Sequence, residues 1–117
     1  MLNLYIWTFF PLSIYWTSLL LAGCFEIGWP LGLKLAGLPN MKIWGIALAV
    51  ISMMLSGMLL WFSLKAIPIG TAYAVWTSIG AVGTFTLGVL VFGDPSIPIR
   101  WLGVAFIILG VILLKMG

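Results

Sequence analysis

Histidine is absent from the 117 residues, and only two residues, Glu26 and Asp94, are acidic. The missing imidazole removes the commonest general base and metal ligand. Cysteine occurs once, as Cys24 inside an apolar stretch, so one chain has no disulfide framework and no Cys-based metal site. Cys24 reads as a small core residue. Charged residues make up 6% of the chain, against about a quarter in soluble proteins. The five basic residues, Lys34, Lys42, Lys65, Arg100 and Lys115, stand singly at the edges of apolar runs. That is the snorkelling position at a membrane interface, and it forms no patch for nucleic acid. Soluble-style enzymology is therefore not expected, and nothing points to a metal, a nucleotide or a redox cofactor.

What is present is apolar surface, with 64% of residues hydrophobic. A bilayer-spanning helix takes roughly 20 mainly apolar residues, so four spans leave room only for tight connections. The expected fold is all-α, a single four-helix transmembrane domain over residues 13–117. Helices are expected at about 13–33, 43–64, 72–92 and 101–115, the last one short. Residues 1–12 (MLNLYIWTFFPL) read as an aromatic, interfacial or extended N-terminal segment; a cleaved signal peptide would need a basic n-region and an A-x-A site. The linker LAGLPNMK carries Gly37, Pro39 and Asn40, which end helices and make turns. Thr71 is placed to N-cap the third helix.

Four spans put Lys65 and Lys115 on one side and Lys34, Lys42 and Arg100 on the other, two against three. An excess of one is a weak instruction under the positive-inside rule, so composition leaves open either insertion in both orientations or one fixed orientation with the first and third loops inside. Insertion in both orientations makes an antiparallel dimer available, in which two copies of one sequence supply the inverted repeats that larger transporters encode in one chain. Gly103 and Gly110, seven residues apart on one face of the last helix, let another helix approach closely. Gly80 and Gly83 in the third helix permit either a bend or ordinary close packing.

Glu26 lies about halfway along the first span, where an acidic group costs roughly 2.5 to 3.5 kcal/mol on insertion scales. Taking a carboxylate out of water penalises its charged form, so such a group holds a proton or a cation, and not both comfortably. That exclusivity is the physical core of an antiporter. Pairing with Lys34 or with a backbone group is the structural alternative, but Lys34 lies eight residues on, roughly 12 Å along the axis at 1.5 Å per residue. Candidate neighbours are Trp29, on the same helix face by the i, i+3 rule, Ser56 mid-span in the second helix, and the pair Tyr73 and Trp76. These offer hydroxyls, indole donors and π-faces to a cation; taken singly, each is more often an interfacial or core residue than a ligand-binding one.

The segments AGCFEIGWPLGLK, IPIGTAYAVWTSIGAVG and LGVAFIILGVILLK together resemble the small multidrug resistance transporters, from about residue 16 onward. Glu26 with Trp29, and the run AVWTSIGAVG, are similar to the SugE-type, guanidinium-exporting branch of that family. The resemblance implies a proton-coupled exporter of guanidinium or small guanidinyl cations in the bacterial inner or plasma membrane, built as an antiparallel homodimer or with a paired homologous subunit. It also implies that Glu26 is the shared proton and substrate site, lined by Trp29, Ser56, Tyr73 and Trp76. Residues 1–12 and Pro30 depart from the pattern, and Pro30 could kink the first helix beside the site. Other readings are a quaternary ammonium exporter of the same family, a cation pore selected by acidic side chains, and a non-transporting partner subunit.

Overall fold

The computed structural model describes residues 11–117 and contains four helices: α1 Pro11–Ala36, α2 Lys42–Ser63, α3 Ile69–Phe92 and α4 Pro98–Met116. Most of the expected N-terminal segment, residues 1–10, lies outside the described residues. All four helices contain stretches long and apolar enough to cross a membrane. Large apolar side chains face outward along them, Ile43 at 80% and Leu90 at 75% exposure, while Ser52, Ser56 and Ser63 are buried. This reverses the soluble pattern, as a chain solvated by lipid requires: lipid takes the apolar side chains, and polar groups find partners inside the protein.

Helix boundaries follow local chemistry that apolar runs do not reveal. α3 starts at Ile69 with Pro68 as N-cap and no side-chain cap, so Thr71 sits in the first turn and does not cap it. Pro68 fixes an extended backbone there (φ −55°, ψ 140°), and its carbonyl accepts the Ala72 amide at 2.9 Å to close the first turn. α4 starts at Pro98, where a missing N–H removes no helical bond and the fixed φ suits a first turn, and it reaches 19 residues. The expected short span is therefore long enough. α3 ends at Gly93, whose φ of 73° is left-handed, a conformation that glycine adopts without a Cβ penalty. The turn between α1 and α2 places Asn40 at φ 62°, the region where Asn is among the few tolerated side chains.

Between helices in a membrane, close approach matters more than apolar bulk, because lipid competes equally for apolar side chains. α1 and α2 pack most extensively, through a seam of small residues. A Cβ on Gly32 would meet the Ala49 amide nitrogen at 2.6 Å, and one on Gly45 would meet the Ala36 Cα at 2.7 Å. Backbone stands against backbone at this seam, so neither helix can yield. α3 packs on α1, and α4 chiefly on α3. Leu19, Ile67, Ala72 and Val75 form the buried core at the α2–α3 turn. Four of the five basic side chains lie over aromatic rings: Lys65 near Trp61 and Phe62, Lys115 near Trp16, Lys34 near Phe92 and Arg100 near Phe85.

Candidate functional site

Glu26 lies in the middle of α1, half-buried against α3. The Trp29 indole N–H donates to Glu26 Oε1, as one helical turn between them allows. Opposite the carboxylate stem is Gly80: a Cβ there would collide with Glu26 Cγ. Gly83, one turn further, leaves the space that the Ile27 side chain fills. The contacts thus give both glycines a packing role, and α3 continues as a helix through them.

Ser56, Trp76 and Tyr73 form a second group, one turn away from Glu26 toward the N-terminal end of α1. The Ser56 hydroxyl donates to the Ala22 carbonyl at 2.6 Å and accepts from the Trp76 indole at 2.7 Å. α2, α1 and α3 are thereby tied at one point, four residues before Glu26. Trp76 also carries the Tyr73 ring, centroids 5.4 Å apart. Tyr73 is 56% exposed on the outer face of the single chain. Trp76 and Gly80 are one turn apart on α3, and Ala22 and Glu26 one turn apart on α1, so the brace and the carboxylate share the same seam.

The structure therefore joins Glu26 with Trp29, and Ser56 with Trp76 and Tyr73, as two adjacent groups. Two participants were not evident from the sequence. Ala22 contributes only a carbonyl, which no side-chain pattern signals. Gly80 seats the glutamate, and only the register between α1 and α3 reveals that. Gly103 and Gly110 have no neighbouring atom within 4 Å of where a Cβ would be, so both lie open on α4.

The arrangement offers a carboxylate with one oxygen already accepting an indole donor and a second oxygen for a proton or a cation. A larger cavity of about 310 Å³ opens between α3 and α4, lined by Ile27, Ile79, Val82, Ile108 and Val111 among others. Its exposed wall is apolar, although Ser78 is among the lining residues, whereas the α1–α3 seam presents a carboxylate. Among the described residues, no group of three or more His, Cys, Asp or Glu side chains is assembled to hold a metal.

The family model for the Small Multidrug Resistance protein matches residues 14–112. The chain is 40% identical over 102 residues to a guanidinium exporter of Escherichia coli (strain K12), covering 87% of this chain and 96% of that one. It is 39% identical over 102 residues to a guanidinium exporter of Salmonella typhimurium, with the same coverage, and 40% identical over 103 residues to one of Citrobacter freundii, covering 87% and 96%. Four apolar helices, a carboxylate seated among them and these matches lead to one conclusion: the chain belongs to the small multidrug resistance family and is a multi-pass bacterial inner-membrane protein.

Proposed function

We propose that this protein is a proton-coupled antiporter that exports guanidinium or small guanidinyl cations, working as an antiparallel homodimer with Glu26 as the shared proton and substrate site. The observation that carries the reading is the Glu26 carboxylate, set mid-helix against Gly80 and held by the Trp29 indole. Guanidinium is a planar fork of N–H donors that pairs with the two oxygens of a carboxylate. A proton on Glu26 neutralises the charge that attracts the cation, so loading one expels the other. Each passage across the membrane then carries one of the two ligands, which is the coupling an exchanger needs.

The brace of Ser56, Trp76 and the Ala22 carbonyl fixes the backbone turn that precedes the glutamate. Preorganisation of that kind keeps the carboxylate oriented as its ligand changes. The exposure of Tyr73 in the single chain leaves its ring free to meet a second copy, and a dimer would bring two Glu26 carboxylates to one aqueous pathway. The relatives named as guanidinium exporters support the choice of substrate.

The test is substrate-driven proton flux in liposomes containing the purified protein. A guanidinium gradient is expected to drive proton counterflow, and a tetraalkylammonium gradient, whose cation has no N–H donors, to drive little. Equal flux with both would instead indicate a quaternary ammonium exporter, and guanidinium current without proton counterflow would indicate a pore.

A further inference from the structure

A second cavity, this one polar and of about 240 Å³, lies between α1 and α3, where Pro30, Lys34, Thr84, Gly88, Phe92 and Asp94 line it. It belongs to the same seam as Glu26. Pro30 and Lys34 follow Glu26 by one and two turns on α1, and Thr84 and Gly88 follow Gly80 by one and two turns on α3. The cavity therefore extends from the level just below the glutamate toward the end of the bundle that carries the α1–α2 and α3–α4 turns.

Its polar groups have unused capacity. Thr84 Oγ1 is buried and, among the described residues, has no hydrogen-bond partner, a condition that costs free energy unless a ligand or water supplies one. Pro30 has no N–H, so the Glu26 backbone carbonyl, four residues earlier, lacks its usual helical donor. Asp94 is the chain's other acidic residue; the Gly93 cap turns the chain so that the Asp94 amide reaches the Gly88 carbonyl at 2.9 Å. Its carboxylate then folds back over Gly88, onto the position a Cβ would take. The Phe92 ring already holds a cation, with Lys34 Nζ 5.7 Å from its centroid.

A carboxylate, a free hydroxyl and an aromatic face are the partners that a small N–H cation takes. The volume far exceeds the roughly 30 Å³ that one water occupies in the liquid, so a polyatomic cation fits. We propose that this cavity is an outer station for a guanidinium-type cation on its way between the membrane face and Glu26. Asp94 and Thr84 receive the cation there, and Lys34 acts as a tethered competitor for the same carboxylate and ring. The inference rests on the exporter reading above and adds a second binding site to it.

The sign of the Lys34 effect separates a station from a structural ion pair. In liposomes, guanidinium-driven proton flux would be measured against guanidinium concentration for wild type, Asp94→Asn, Asp94→Glu, Thr84→Val and Lys34→Gln. Asp94→Asn is expected to raise KM about fivefold, the scale of one exposed charge-assisted hydrogen bond, with kcat little changed. Thr84→Val should raise KM less, Asp94→Glu should hold it near wild type, and Lys34→Gln should lower it. An unchanged KM in Asp94→Asn overturns the station while wild-type flux leaves the exporter reading standing. A raised KM in Lys34→Gln also overturns it, because a structural pair loses function when either partner is removed. Absence of flux in wild type overturns the exporter reading and the station together.

Discussion

Glu26 has one indole donor and one glycine seat, and each can be removed singly. Trp29→Phe keeps the ring and deletes the N–H that reaches Oε1. A hydrogen bond to a charged group is worth about 1.5–3 kcal/mol, so guanidinium-driven flux should lose roughly tenfold or more in kcat/KM. Gly80→Ala places a methyl where Glu26 Cγ now lies. The glutamate side chain is the part that can yield, so the chain should still fold while transport falls steeply; comparing helical content by circular dichroism with flux in the same preparation checks both halves. The Glu26–Trp29 pair was legible in the sequence because helical spacing alone sets it. The bond from Ser56 to Ala22 and the seat at Gly80 were not, because they depend on how one helix slides along another.

At the scale of the helix, glycines fall into two kinds that sequence alone does not distinguish. Gly32 and Gly45 stand backbone against backbone at the α1–α2 seam, so a side chain there must separate the helices. Gly45→Ala should destabilise the folded chain by about 1–3 kcal/mol, the usual scale of overpacking, read as a shift in its unfolding midpoint in mixed micelles. Gly103 and Gly110 meet nothing in their own chain within 4 Å. If α4 forms the interface of the proposed dimer, Gly103→Leu with Gly110→Leu should leave the unfolding midpoint in place and shift the protein toward monomer by size-exclusion with light scattering; a dimer unshifted by the two substitutions would remove α4 from the interface. The helix starts have a separate cause. Apolar runs located all four helices, but the first residue of α3 and of α4 was set by Pro68 and Pro98, whose fixed φ outweighs both the hydroxyl of Thr71 and the start of the apolar run.

For the whole molecule, the proposed exchanger would rest on a carboxylate that holds one ligand at a time, which would make proton and substrate mutually exclusive, with the four-helix chain presenting that carboxylate to water on alternate sides. The composition made the membrane and the position of Glu26 legible; the assembly around it was not, since a near-balanced distribution of Lys and Arg is compatible with either orientation. In the proposed exchanger, one side chain, Glu26, holds both ligands. This is tested most directly by mixing the detergent-purified protein with guanidinium in weak buffer containing a pH indicator, wild type beside Glu26→Gln. Proton release is expected from wild type, saturating with guanidinium, and none from Glu26→Gln. Equal release from the two proteins, or guanidinium binding by wild type without release, would contradict it.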